Sequence, residues 1–296
     1  MVKSSQRDFD RNETLKTKPE DSFFNIQSIL YISANQITKI LFYTNITPHQ
    51  VILLSLIFGI GSAFLITSNN LGLRIIGALL LFYKNVLDKV DGSLARAKGL
   101  DSRRGRFYDS ISDFIVNLAI FTSISFCLYS KYQSIWIYPL VYLAMISSMF
   151  QCSYFIFYQV SFIKQSGKKT VNRLIESITD EDRMNHDKLT LFMQRIFQII
   201  YGWQDSLIFK LDKQIRNNLI NSKPADEIEK FWFTNKKFLN LASFLSIGTH
   251  MVLIAICAVF NIFEVYLLVN LILLNLLLIY SIIYHYKSIK NKIKDK

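Results

Sequence analysis

The chain has 296 residues, 51% hydrophobic and 19% charged, with a mean hydropathy of +0.26 and a formal net charge of +12 from 34 Lys and Arg against 22 Asp and Glu. The apolar content excludes a disordered polymer, and three cysteines are too few for a secreted disulfide scaffold. A basic balance suits either nucleic-acid binding or a membrane protein with positive cytosolic loops, so the position of the charges decides.

Taken in chain order, residues 1–23 are polar and charged and read as a mobile N-terminus without a signal peptide. Residues 24–43 place Ile26, Ile29, Leu30, Ile37, Ile40 and Leu41 at three-to-four spacing, the pattern of an amphipathic helix lying in a membrane interface. Thr47 before Pro48 supplies an N-cap and a first helical position, so a new helix starts there. Six stretches then approach the roughly 20 apolar residues that a spanning helix needs. They are 50–68, 71–87, 107–130, 134–163, 238–262 and 264–286. Gly59, Gly61 and Ala63 in the first read as a close-packing face. Residues 164–237, between the fourth and fifth, read as a mostly helical insertion with a break at Pro224. The expected organisation is therefore all-α: an N-terminus over 1–23, an interfacial helix with spans one to four over 24–163, the insertion over 164–237, and spans five and six with a basic tail over 238–296.

The charges orient these spans. Residues 84–106 carry net +4, residues 164–237 net +4 and residues 287–296 net +4, while the opposite connections hold little charge. The basic loops and both termini are expected on the cytosolic side of a multi-pass membrane protein. The +12 is then a topology signal, and nucleic acid drops out as a partner.

One segment, 88–113, concentrates acids where a membrane makes charge costly. Asp88 and Asp91 are three apart at the end of the second span, and Asp109 and Asp113 are four apart at the start of the third, so each pair shares a helix face. If the two helices are antiparallel neighbours, four carboxylates converge, and their repulsion calls for divalent cations. Oxygen-only ligands suit Mg²⁺ or Mn²⁺, and two such ions can clamp a phosphate. Gly92 clears space for a ligand beside the backbone, Ala95 keeps the next turn small, Arg96 reaches the same face to hold a phosphate, and Gly105 allows close approach of the third span.

The pattern D-x2-D-G-x2-A-R-x8-G-x3-D-x3-D resembles the signature of the CDP-alcohol phosphatidyltransferase family. All eight fixed positions match, at Asp88, Asp91, Gly92, Ala95, Arg96, Gly105, Asp109 and Asp113. The resemblance implies that Asp88, Asp91, Asp109 and Asp113 bind two Mg²⁺ or Mn²⁺ ions and that Asp113 is also the catalytic base. It implies donor contacts at Gly92, Arg96 and Ser102, and at His49 and Gln50 just after the Thr-Pro pair. The chain departs from the usual family residues at His49 and Ile52. The implied activity is transfer of a phosphatidyl group from CDP-diacylglycerol to a small polar alcohol with release of CMP, in phospholipid biosynthesis. The alternatives are a phosphotransferase that moves phosphocholine or phosphoethanolamine from its CDP ester to diacylglycerol, and a non-catalytic membrane protein keeping the fold. Membrane lipid is an expected partner, and a homodimer through the spans is the assembly the resemblance suggests.

Other polar residues have blander readings beside functional ones. Lys84, one turn before Asp88, is an ion-pair partner, an interfacial snorkel or a direct substrate contact. Asn117 lines the cavity or bonds across helices. Gln151, Tyr154, Tyr158 and His250 read as packing or core hydrogen bonding, and Cys127, Cys152 and Cys257 as small apolar residues. The cluster 201–205 packs the insertion at the interface or helps to form an acceptor pocket. Lys164, Lys168, Lys169 and Arg173 bind lipid headgroups, set topology or hold a phosphorylated acceptor.

Overall fold

The computed structural model describes residues 8–15, 28–167, 170–217, 219 and 225–294, and among them all regular structure is helical. Ile26, Lys168, Lys169 and Pro224 lie outside the described residues. The helices are α1 (Arg11–Thr14), α2 (Ser28–Phe42), α3 (Pro48–Leu65), α4 (Leu71–Lys98), α5 (Arg103–Tyr132) and α6 (Ile137–Gln165). The insertion contributes α7 (Asp180–Asn185), α8 (Lys188–Phe197), a π-helical turn over Gln198–Gly202, α9 (Trp203–Asn217) and α10 (Ala225–Phe233). The chain closes with α11 (Lys236–Ala242), α12 (Ile247–Phe260), α13 (Phe263–Leu268) and α14 (Asn275–Lys294), the last two joined by a π-helical turn over Val269–Leu274.

Local chemistry sets the helix ends. Thr47 and Gln50 form a reciprocal capping box at the start of α3, with Pro48 in its first turn. Asn70 caps α4 at the Leu73 amide (3.2 Å), and Ser102 caps α5 at the Gly105 amide (3.1 Å). Gly99 ends α4 in the left-handed region at φ +66°, where an L side chain is strained, and so turns the chain directly into α5. That tight connection turns α5 back in the opposite direction to α4, and the two helices pack against α3 and face each other across a gap that Lys84 and Asp113 bridge.

Five helical segments among the described residues are long and apolar enough to cross a membrane: Pro48–Leu65, Arg103–Tyr132, Ile137–Gln165, Lys236–Phe260 and Phe263–Lys292. The remaining predicted span, 71–87, is only the first part of α4. This 28-residue helix runs on to Lys98 through Lys84, Asp88, Lys89, Asp91 and Arg96, so its second half is charged. Small residues let these helices meet closely, which matters where lipid removes the hydrophobic drive between helices. A methyl group added at Gly59 would come within 2.5 Å of Val116 on α5, and one at Gly77 within 2.7 Å of the Ile66 backbone nitrogen. The Ser62 hydroxyl also donates to the Gly77 carbonyl (2.8 Å), tying α3 to α4. One core joins α3, α5, α6, α12 and α13 through Ala63, Val116, Ile120, Ala144, Ile254 and Tyr266.

Two segments modify the expected layout. Residues 8–15 were expected in a mobile N-terminus, yet they pack: Phe9 lies edge-on to Phe42, and Thr14 is 1% exposed against α4. The rest of 1–23 lies outside the described residues. In α2 the buried face is Leu30, Ala34 and Thr38, against α4, whereas Ile32 and Ile40 point outward. The 24–43 stripe thus splits, because the protein takes one side of the helix and leaves the other free.

Candidate active site

The α4–α5 hairpin brings the carboxylates together at the end of the bundle where the insertion also packs. Asp88, Asp91 and Asp109 each offer a carboxylate oxygen, all within 4.8 Å of one another. Asp113 stands beside them and is joined to Asp88 by Lys84, whose ammonium ion-pairs with both, at 2.5 Å for Asp88. The Ser55 hydroxyl of α3 donates to Asp88 (2.6 Å). The Asp113 side chain is 27% exposed against 8% for Asp88, so Asp113 is the more accessible of the two that Lys84 holds.

This donor set fits a divalent cation. It consists of hard carboxylate oxygens on two rigid helices. One of them, Asp91 Oδ2, is buried and without a hydrogen-bond partner, an arrangement that is costly unless a cation takes that lone pair. Oxygens on opposite sides of a Mg²⁺ ion lie about 4.2 Å apart, twice the usual bond length. The three carboxylates therefore need only a small inward shift.

A cavity of about 670 Å³ opens beside the cluster. Its α4–α5 wall includes Asp88, Asp91, Gly92, Ala95, Arg96, Ser102, Gly105, Asp109, Asp113 and Asn117. His49 also lines it and stacks on Tyr108 at 5.9 Å between centroids. Gln50 is placed differently, because its amide oxygen accepts from the Thr47 backbone (2.9 Å) in the capping box and it is not among the cavity-lining residues. Arg96 folds back over Gly92, and its Nε donates to the Thr14 carbonyl (2.9 Å). Ser102 both caps α5 and borders the cavity. An apolar flank from α6 carries Phe155, Ile156, Val160 and Ile163.

The residues with blander readings sort by depth. Gln151 donates to Ser147, Asn270 and Asn275 in the bundle interior, and His250 pairs with the Tyr266 hydroxyl (3.2 Å). Tyr158 donates to Asp212 (2.8 Å), which also accepts from Trp232 (2.7 Å), so it anchors the insertion on α6.

The insertion supplies a wall that sequence reasoning left undecided. Arg103 and Arg106 of α5 both pair with Glu176. Arg173 forks onto Asp182 with two bonds of 2.8 Å. Burial alone would raise Asp182, but Arg173, the Thr179 amide, Gln194 and Arg103 hold its carboxyl well below the usual range. Tyr201 and Asp205 reach the cavity from either side of the turn into α9. The Tyr201 hydroxyl donates to the Ser110 carbonyl (3.1 Å). Burial pushes the Asp205 carboxyl up to about 7, with Arg106 opposing and Glu176 adding to the rise. Asp205 was marked only as part of the cluster 201–205, and Ser55 and Glu176 carried no separate signal, because an acid or a serine in an amphipathic stretch reads as a solvated face until its neighbours are known.

A family model described as CDP-alcohol phosphatidyltransferase matches residues 45–210, from the cap of α3 into α9. That range holds the whole carboxylate cluster and the Tyr201–Asp205 wall. No curated protein matches the chain.

Proposed function

Because the chain belongs to the CDP-alcohol phosphatidyltransferase family, we propose that it transfers a phosphatidyl group from CDP-diacylglycerol to the hydroxyl of a small polar alcohol, releasing CMP. The observation that carries this reading is the carboxylate cluster at the mouth of a cavity with one polar wall and one apolar flank. The apolar residues of α6 suit acyl chains, and the polar wall suits a diphosphate and a small alcohol.

In this reading Asp88, Asp91, Asp109 and Asp113 hold two divalent cations, Mg²⁺ or Mn²⁺. Bound cations would supply charge stabilisation for the diphosphate and the departing phosphate. Arg96 exchanges its Thr14 carbonyl contact for a donor phosphate oxygen, which a guanidinium binds more strongly than a neutral carbonyl. Gly92, Ser102 and His49 border the same donor space. Asp113, held by Lys84, takes the proton of the acceptor hydroxyl. The alcohol oxygen then bonds to the phosphorus that carries diacylglycerol, the bond from that phosphorus to the CMP oxygen breaks, and CMP leaves with the electron pair.

The chain is further read as a six-span protein in which α4 is the sixth membrane helix. The support is its outward apolar face of Leu73, Ile75, Ile76, Leu79 and Phe82, continuous with the exposed apolar residues of α3 and α5. The site and the basic loops face the cytosol on the charge distribution.

The test is CMP release from CDP-diacylglycerol by the purified chain, with a panel of small alcohols and with or without Mg²⁺ or Mn²⁺. Metal-dependent release is expected, and Asp113→Asn should reduce it by at least about 100-fold, the lower range for loss of a general base, while the variant still elutes as folded protein. Release from CDP-choline with diacylglycerol, and none from CDP-diacylglycerol, would overturn the assignment of the donor.

A further inference from the structure

The insertion arms the cavity with one uncommitted acid, and its surroundings define what that acid can recognise. The arginines on this side are spent. Arg103 and Arg106 both pair with Glu176, whose side chain is 1% exposed, and Arg173 is forked onto Asp182, equally buried. Asp205, also lining the cavity, accepts no hydrogen bond from any described residue; its charged neighbours are Arg106 and Glu176, which oppose each other. The residue is held in place all the same. Beside it, Gln204 is fully buried and accepts the Ser153 hydroxyl of α6 (2.9 Å), which fixes the face that α9 presents. One turn earlier, Tyr201 is fixed to the Ser110 carbonyl of α5, adjacent to Asp109, and lies within electrostatic reach of Asp113. The π-helical turn over Gln198–Gly202 ends just before α9 and holds Tyr201 at one end and Gln198 at the other; Gln198, like Gln194, bonds to the Glu176 carbonyl instead.

We propose that Asp205, beside Tyr201, recognises the acceptor alcohol through a second hydrogen-bond donor on it, a hydroxyl or an ammonium, so that the acceptor is a non-phosphorylated polyol or amino alcohol. This rests on the transferase reading and names its acceptor class. A phosphorylated alcohol would bring an anion beside Asp205, while Arg103, Arg106 and Arg173 on this wall are already engaged by Glu176 and Asp182. The other basic groups that line the cavity, Lys89 and Arg96, are on α4, on the side given to the donor phosphates, and Arg96 has no carboxylate partner among its hydrogen bonds to Thr14 and Ser93. An acceptor with a donor group has the opposite fit: its attacking hydroxyl lies toward Asp113, and its second hydroxyl or ammonium meets Asp205.

The experiment uses the full chain in detergent with Mg²⁺. Glycerol, inositol, ethanolamine and serine are compared with glycerol phosphate and inositol phosphate as acceptors for CMP release from CDP-diacylglycerol. The unphosphorylated set is expected to be used at least tenfold better in kcat/KM. Asp205→Asn should raise the acceptor KM at least about tenfold with the donor KM within about twofold, and Asp205→Glu should recover part of the loss. Preference for a phosphorylated acceptor, or donor and acceptor KM changing together in Asp205→Asn, would overturn the proposal while leaving the transferase reading intact. A second readout needs no turnover. At least one of glycerol, inositol, ethanolamine and serine, each at millimolar concentration, should raise the unfolding temperature of the Mg²⁺-bound chain, and Asp205→Asn should lose that rise. If no donor releases CMP, the transferase reading fails, and this binding measurement alone decides the recognition by Asp205; a rise retained in Asp205→Asn would sink it.

Discussion

Lys84 shows how one residue can balance a site. It is 1% exposed and sits between Asp88 and Asp113, so a single ammonium offsets two of four neighbouring carboxylates. A buried charge left without its partner is costly, about 3–5 kcal/mol. Lys84→Met should therefore lower the unfolding temperature of the metal-free chain. Mg²⁺ should then raise the unfolding temperature of the variant more than that of the parent, because the cation takes over the neutralisation. Thermal unfolding with and without EDTA checks this, and an equal Mg²⁺ response in both chains would remove Lys84 from the charge balance. At this scale the sequence was informative: Asp88, Asp91, Asp109 and Asp113 were legible from spacing alone. The Lys84 ion pair was one of three readings, since its distance to Asp113 depends on how α4 and α5 are set relative to each other.

Among the elements, the segment 170–179 and α7–α8 are latched to α5 by charge. Glu176 accepts from Arg103 and Arg106, and its backbone carbonyl accepts from Gln194 (3.1 Å) and Gln198 (2.7 Å). Glu176→Ala should leave two half-buried arginines without their shared carboxylate and cost about 3–5 kcal/mol, freeing the insertion to protease while α3–α6 stay intact. Acid should act in the same direction. The Asp182 carboxyl is held below its usual range, so its contribution is complete above the unfolded value of about 4 and is lost progressively as the pH falls below it. Limited proteolysis at pH 7 and at pH 3 measures both effects, and an insertion as protected in Glu176→Ala as in the parent would refute the latch. The helical content of the insertion was legible as amphipathic stretches. The face it turns to the cavity was not, because that depends on the π-helical turn and on Gln204 meeting Ser153.

For the whole molecule α4 is the test of the membrane geometry. About 42 Å long at 1.5 Å per residue, it is apolar outward at its start and charged inward at its end. With Cys127, Cys152 and Cys257 replaced by Ala, Asn69→Cys and Arg104→Cys should lie on opposite sides of the membrane. A membrane-impermeant thiol reagent applied to intact cells should label Asn69→Cys, and Arg104→Cys only after permeabilisation. Labelling of both in intact cells would remove α4 from the spans.

The sequence by itself determined the helical class, the apolar segments and the spacing that groups the carboxylates of Asp88, Asp91, Asp109 and Asp113. These follow from periodicity and composition within a single helix or hairpin, where neighbours in the chain are neighbours in space. Only the tertiary structure decided that Gln50 is spent on a helix cap, that residues 8–15 pack against the α4 helix through Thr14 and Arg96, and that Asp205 is the uncommitted acid in the cavity. Each of these turns on which partners a polar group finds across tens of residues, and a polar side chain looks the same in sequence whether its partner is water, a backbone amide or an arginine from another helix.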